Sequence, residues 1–314
     1  MEMRKKAFTI SAGIFILLLI LPLIVTNPRW HMVMAMICIS STVTMGLYFI
    51  AGLGIVSFAQ AAFAGLGSYT VAFLLLNGNV SFWVAWPISG VFSAVIGALI
   101  GLLVLKMKGA YFFLVTLALN QFIVWIFHAW KAVTGGYDGL RNIPVPEILS
   151  SVDRVYYLSL GLMGVTFLFI TIVEKSRFGI TLRAVAENDT MVQSYGVSTF
   201  RVKMTNWVAC CFFTGLAGGL IALLFRSSFP TMFDMMVSLR YVVFMVFGGS
   251  SSPVGPIIGT VILVLVSESI RVIKDFEPLV YGLVLLLTLI FVPGGLMGLV
   301  RKPKGGTTKP IPGG

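Results

Sequence analysis

Arg240 and Glu268 stand in stretches of sequence where almost nothing else is charged, and their chemistry is the most conspicuous in the chain. Arg240 lies in "MMVSLRYVVFMVFGG" and Glu268 in "VILVLVSESI", on either side of the Gly-, Ser- and Pro-rich join "GGSSSPVGPIIG". A charged group at the centre of a bilayer costs about 2.5–3.5 kcal/mol on insertion scales, so each is expected to face protein or water. Two roles stay open: the two can be neighbours across the join and brace it as a salt bridge, or Arg240 can line a path and attract an anionic or carboxylate group. The uncharged polar residues Ser57, Gln60, Thr116, Asn120 and Gln121 also fall inside apolar runs. Hydrogen bonding between helices explains each of them as well as contact with a solute does.

Other chemistry has no footing in the sequence. No G-x-x-x-x-G-K-[ST] stretch occurs to cradle a nucleotide phosphate. No His, Cys and carboxylate set has metal-ligand spacing. His31 and His128 fall near the ends of different apolar runs and are expected at an interface, and Cys38, Cys210 and Cys211 lie within such runs as packing residues. No Ser-His-Asp or Cys-His arrangement is suggested, which argues against an intramembrane enzyme. Transport is the default reading, and if the solute is pumped the energy source must lie on another chain.

The elements that must position these residues follow from composition. The chain is 58% hydrophobic and 11% charged with a mean hydropathy of +1.00, too little charge for the surface of a soluble domain of 314 residues. Runs of roughly 18 or more apolar residues span a bilayer as helices. The runs predict an all-α, polytopic transmembrane bundle forming a single domain over 1–314, with about 8–10 spans. They fall near 8–25, 31–50, 55–76, 83–105, 109–130, 155–173, 204–225, 237–248, 256–271 and 279–299. The pair near 237–271 is short and its join is rich in breakers, so it reads as two short spans or one re-entrant hairpin. The N-terminal stretch has the charged and apolar regions of a signal peptide but no A-x-A site, and reads as a retained first helix.

The net charge of +11 would suggest nucleic acid in a soluble protein, but here the cations are scattered between apolar runs and report topology instead. An inside N-terminus puts 14 of the 22 cations on the inner side, in clusters at Arg4–Lys6, Lys106–Lys108, Lys175–Lys203 and Arg301–Lys309, and 7 outside, with Arg240 left within an apolar run. Both termini are therefore expected in the cytoplasm. So is the polar segment 174–203, "EKSRFGITLRAVAENDTMVQSYGVSTFRVK". Within it "TLRAVAE" is helix-prone, Asn188 or Asp189 can cap a second short helix, and Gly196 suits the position after its end. Leu182, Val185 and Val192 share one arc at 100° per residue. Such a segment is either a docking knob or a solvated connector.

Five stretches, in order, resemble one family, the LivM-type permeases of the branched-chain amino acid ABC importers (the LivH/LivM family). They are "GIVSFAQAAFAGLGSYTVAFLL" from Gly54, "LKMKGAYFFLVTLAL" from Leu105, "TGGYDGLRNIP" from Thr134, "SRFGITLRAVAENDTMVQSYGVS" from Ser176, and "TGLAGGLIAL" followed by "FGGSSSPVGPIIG". Two departures stand out. Ser251 follows "GGS" where the family continues Gly-Gly-x-Gly, and "SLR" at Ser238–Arg240 replaces a common Ser-x-Glu.

The resemblance implies a permease subunit with no cofactor of its own, in the cell inner membrane, translocating branched-chain or related amino acids. Its implied partners are a second permease subunit, two ATP-binding-cassette ATPases carrying ATP and magnesium, a periplasmic substrate-binding protein and the lipid bilayer, with no nucleic acid. It also implies that segment 174–203 couples to an ATPase through Arg183, Ala184, Glu187, Asn188, Asp189 and Gly196. The alternatives are a stand-alone secondary transporter of a small polar solute, which would need coupling-ion carboxylates at mid-depth where only Glu268 is a candidate, and a membrane scaffold without a path.

Overall fold

The computed structural model describes residues 27–78, 80–107, 109–270, 277–291 and 294–300. The expected first span at 8–25, the terminal cations and Lys108, Arg271 and Lys274 lie outside the described residues. Among those described, seven helices are long and apolar enough to cross a membrane, with shorter apolar helices over Val254–Ser269 and Leu279–Thr288. In chain order the helices are α1 (Pro28–Ala51), α2 (Gln60–Asn77), α3 (Phe82–Val104), α4 (Ala110–Ala129), α5 (Val152–Lys175), α6 (Arg177–Glu187), α7 (Asp189–Ser194), α8 (Thr199–Phe225), α9 (Met235–Gly248), α10 (Val254–Ile270), α11 (Glu277–Phe291) and α12 (Leu296–Val300). A helical turn at Lys131–Thr134, short 3-10 turns and one ribbon of two-residue strands, β1 (Leu140–Arg141) and β2 (Ser227–Ser228), complete the elements among the described residues. The all-α bundle expected from the apolar runs is the one observed.

The faces of α3 identify the solvent for which the sequence is written. Between Phe82 and Val104 at its two ends, its buried side is small: Ala85, Ser89, Gly90, Ser93, Ala94, Gly97 and Gly101. Its exposed side carries Val84, Ile88, Val91, Val95, Leu99, Leu102 and Leu103. A helix in water would turn the large side chains inward. In lipid there is no hydrophobic gain from burying them, and association comes from close packing of small residues.

That packing is tightest around α8. A Cβ placed on Gly218 would lie 1.9 Å from the Ala64 carbonyl oxygen of α2, and one on Gly67 would lie 2.0 Å from the Gly215 carbonyl oxygen. Gly97 of α3 sits against the Cys211 side chain. The indole of Trp207 donates to the Gly97 carbonyl at 2.8 Å, and that of Trp86 to the Leu216 carbonyl at 2.9 Å, so the large aromatics at this seam leave no N–H stranded. On its other side α8 packs on α1, which packs in turn on α5. The run Ser40–Thr44 in α1 is buried, and Thr42 and Thr44 return their hydroxyl hydrogens to the carbonyls one turn back, at 3.0 and 2.6 Å.

The bundle has two distinct ends. At one, His31 pairs with Asp153, Arg29 with Glu268, and Arg226 donates to the Ser150 carbonyl at 3.1 Å. At the other, Leu182 of α6 lies under Gly52, Tyr48 donates to Glu174 at 2.5 Å, and Gly249 abuts Gly294 and Gly295.

The expected helix at 55–76 is corrected. Gly54, at φ +74°, turns the chain, residues 55–59 are not helical, and α2 begins only at Gln60. The run is apolar enough for a helix throughout, and periodicity alone gives no reason for a late start.

If backbone contact at α8 holds the bundle, Gly218→Val should abolish recovery of folded protein, since a side chain there must push α2 away. Gly161→Ala on α5, where an added Cβ meets nothing within 4 Å, should leave yield and Tm unchanged. Detergent-extracted yield and thermal melting of the two variants make the comparison.

Candidate functional site

The late start of α2 places a helix end in the middle of the bundle. The Gln60 side chain meets Thr214 at 3.0 Å and the Cys210 thiol at 3.4 Å, both midway along the 27-residue α8. The first N–H groups of a helix have no partner within it, and at mid-membrane depth no water is there to supply one. Side chains from other helices supply the acceptors. Ser238 Oγ takes the Ala61 N–H at 2.9 Å, Asn120 Oδ1 takes the Ala62 N–H at 3.0 Å, and Thr116 Oγ1 takes the Phe58 N–H at 3.2 Å. Ser57 Oγ accepts from Ala59 at 3.2 Å.

A second segment reaches the same depth from the opposite direction. After α8 the chain reverses through Arg226, at φ +51°, and descends as β2 and a 3-10 turn to Asp234. The loop at 135–151 holds it: Leu140 and Arg141 pair antiparallel with Ser228 and Ser227, and the Ile143 N–H reaches the Arg226 carbonyl at 3.1 Å. Gly139, at φ +61°, lies so close to the Ser228 carbonyl that a Cβ would sit 2.3 Å from it. That contact explains a glycine in "TGGYDGLRNIP". Helix α9 then starts at mid-depth, with the Asp234 carboxylate capping the Met235 N–H at 2.7 Å.

Asn120 joins the two breaks. Its Oδ1 accepts from both the Ala62 N–H and Ser238 Oγ, each at 3.0 Å, while its Nδ2 donates to the Phe233 carbonyl at 3.3 Å. Ser57, Gln60, Thr116 and Asn120 are thus all buried around the start of α2, each with a hydrogen-bond partner in the protein. Gln121 points the other way and is exposed on α4 beside Phe122 and Trp125.

Arg240 and Glu268 belong to a different place. Both line a cavity of about 310 Å³ bordered by α1, the end of α8, α9, α10 and α11. The carboxylate of Glu268 takes Arg29, with contacts of 2.6 and 3.0 Å to its guanidinium. The guanidinium of Arg240 lies over the Tyr281 ring, 5.3 Å from its centroid, and the Tyr281 hydroxyl meets Ser267. Sequence reading did not find Arg29, which is 239 residues from Glu268, nor Tyr281. The one clue to Arg29 was a cation at the edge of a span.

At the far end of the bundle, α6 and α7 form a helical hairpin. Ser176 caps α6, accepting the Gly179 N–H at 3.4 Å. Asn188 ends α6 and caps α7, accepting from Met191 at 3.0 Å. Gly196 follows the end of α7 at φ +80°. Leu182 and Val185 are buried and Val192 half-buried, while Arg183, Glu187, Asn188 and Gly196 are exposed, Ala184 less so. Asp189 faces inward and pairs with Lys203 of α8 at 2.6 Å. Gln193 donates to Thr199 at 2.8 Å, and Arg183 lies 4.0 Å from Glu174.

Removing an acceptor at the mid-depth break should be felt as instability. Leaving a buried N–H unpartnered costs about 1–3 kcal/mol, so Ser238→Ala and Asn120→Leu should each lower Tm, Asn120→Leu more because it strands three groups. The double variant should fall short of the sum, because the two residues share one network. Thermal melting of the three variants decides it; additive effects would separate the residues.

Comparison with known proteins accords with these elements. The sequence profile of the family described as branched-chain amino acid transport system / permease component matches residues 30–293. The chain is 28% identical to the high-affinity branched-chain amino acid transport system permease protein LivM of Salmonella typhimurium over 298 residues, covering 84% of this chain and 70% of that one. It is 27% identical to the Escherichia coli LivM with the same coverage. It is also 26% identical over 267 residues to a probable branched-chain amino acid transport permease protein LivH of Methanocaldococcus jannaschii, covering 77% of this chain and 83% of that one. No solved structure matches the chain. A bundle with small residues inside and large apolar ones outside, two helices broken at mid-depth and a profile match from the first described helix to beyond α11 together assign the chain: it is a multi-pass membrane permease of the branched-chain amino acid transport system permease family.

Proposed function

We propose that this chain is the permease subunit of an ATP-driven importer carrying branched-chain or related amino acids across the inner membrane. On this reading it works with a second permease subunit, two ATP-binding-cassette ATPases that hold the ATP and magnesium, and a periplasmic substrate-binding protein. The α6–α7 hairpin carries the proposal. It is a compact polar knob between two membrane helices, capped at each turn and pinned to the bundle by Leu182, Val185 and the Asp189–Lys203 pair, with its other face exposed. A solvated connector has no need of two caps and a buried ion pair. Ile180, Met191 and Tyr195 stand exposed on it, apolar surface that suits a protein partner. The relatives' names support the solute class.

The cations at the hairpin end among the described residues include Lys106, Lys175, Arg177, Arg183, Arg201 and Lys203, and the excess favours the cytoplasm for this end and for both termini. Segment 174–203 then acts as the coupling element, with Arg183, Glu187 and Asn188 facing the ATPase and Asp189 and Gly196 holding its shape. ATPase closure displaces the hairpin. Because α6 continues from α5, lies under Gly52 of α1 and is tied through α7 to α8, the displacement reaches the three helices at the centre of the bundle.

Two measurements test this. Liposomes containing the chain alone should show no leucine uptake driven by ion gradients, whereas the assembly with ATPases and binding protein should show ATP-dependent uptake; robust gradient-driven uptake by the chain alone would overturn the importer reading. Gly196→Val should insert normally, since a Cβ there meets nothing within 4 Å, but the positive φ costs a side chain about 1–2 kcal/mol and more when β-branched. Solute moved per ATP hydrolysed should fall severalfold, with Gly196→Asn much milder. Unchanged coupling and ATPase association in Gly196→Val would reduce the hairpin to a connector.

A further inference from the structure

Helix α4 turns one side away from the bundle, and that side is not written for lipid. Leu114, Ala118, Gln121 and Trp125 are exposed and fall within an arc of about 60° at 100° per residue. They stand roughly opposite Thr116, Asn120 and Ile123, which are buried. Gln121 lies near the middle of α4, which runs Ala110–Ala129. It follows Asn120, whose bonds to the Ala62 N–H and Ser238 fix that level at the mid-depth break of α2. Among the described residues no group hydrogen-bonds the Gln121 amide. An amide left in hydrocarbon without a partner costs several kcal/mol, roughly 4–8 on a water-to-cyclohexane scale.

Other polar groups are uncovered at the same depth. Asn120 donates to the Phe233 carbonyl at 3.3 Å, which holds the 3-10 turn Pro230–Phe233 against α4. Thr231 and Met236 are exposed there and Asp234 is half-exposed. Non-helical backbone and a carboxylate at mid-membrane must be covered by protein or meet water. The exposed sides of other helices differ. That of α3 carries Val91, Val95 and Leu99 in its middle turns, and that of α11 carries Leu283, Leu286 and Leu287. Lipid suits both.

We propose that the exposed side of α4, with the turn beside it, is the seat of the second permease subunit. This deepens the proposed function and rests on it for the existence of that subunit; the choice of face rests on Gln121, Thr231 and Asp234. The occupant is a chain of the same fold that brings a hydrogen-bonding side chain to the level of Gln121. An amide both donates and accepts, so it is satisfied by a hydroxyl or by another amide, and across a two-fold axis it is its own complement. Ala118, three residues before Gln121, leaves room for a helix to approach, and Leu114 and Trp125 supply apolar contact on either side.

The test uses the full assembly in its membrane. The photo-crosslinking residue p-benzoylphenylalanine replaces Trp125 on α4 and, as controls, Leu99 on α3 and Leu286 on α11. Irradiation at 125 should join this chain to one permease subunit, identified by mass spectrometry, and the two controls should give lipid adducts. In a second arm, Gln121→Leu should raise the dissociation constant of the permease pair in mild detergent about three- to tenfold, the loss of one interhelical hydrogen bond, and Gln121→Asn should raise it less. Melting of each variant reports folding, and the crosslink, made with Gln121 intact, decides the question even if Gln121→Leu does not assemble.

Lipid adducts alone at 125 would overturn the proposal, as would a crosslink within the chain to residues 8–25, because this chain's own first span would then cover α4. So would a folded Gln121→Leu that pairs as tightly as the unaltered chain. The mass of the purified assembly and its ATP-dependent leucine uptake are measured separately. If the assembly holds two permeases and imports while position 125 reaches neither, the face is wrong and the importer reading stands. If position 125 joins two permeases while the assembly moves no leucine, the importer reading fails and the interface stands.

Discussion

A helix that begins inside a bilayer must find acceptors for its first N–H groups, and much of this structure exists to supply them. Helices α2 and α9 both begin near mid-depth, and their ends meet at Asn120 and Ser238. Backbone groups in hydrocarbon have no water to fall back on, so an unanswered N–H there is expensive. The cost dictates which side chains can occupy α4 and α9 at this level. It also requires the descending segment 226–234 to be held in register, and the loop at 135–151 does so through β1, β2 and the glycine at 139. The loop, the ribbon, the 3-10 turn and the network therefore form one connected device.

Charges are handled at the two ends by a similar logic. Arg29 with Glu268 and His31 with Asp153 close one end. Lys203 with Asp189 and Glu174 with Tyr48 and Arg183 close the other. Exposed pairs contribute little to stability, but Asp189 and Lys203 have side chains only 17% and 15% exposed, where losing one partner leaves a charge desolvated. The hairpin is thereby anchored to α8 through a largely buried ion pair.

The polar residues of the membrane interior divide into two kinds of work. Ser57, Gln60, Thr116 and Asn120 are buried in protein and complete the broken helices, whereas Arg240 and Glu268 line open space. A buried, hydrogen-bonded core thus stands beside an apolar cavity lined by charged side chains.

The sequence by itself determined the class, most of the span positions and the character of the hairpin. These depend on local pattern: apolar runs of spanning length, Asn188 and Gly196 at cap positions, and Leu182 and Val185 on one arc. The broken start of α2 was not legible, because residues 55–59 are as apolar as the helix that follows and the reason for the break lies in Asn120 and Ser238 on other helices. The contact of Glu268 with Arg29 was not legible either, because it depends on α10 returning through the bundle to bring Glu268 to the start of α1. Local periodicity reports which face of a segment meets its surroundings. Which groups meet across the bundle is decided by how deep each helix begins and which small residues let helices touch, and only the tertiary structure contains that.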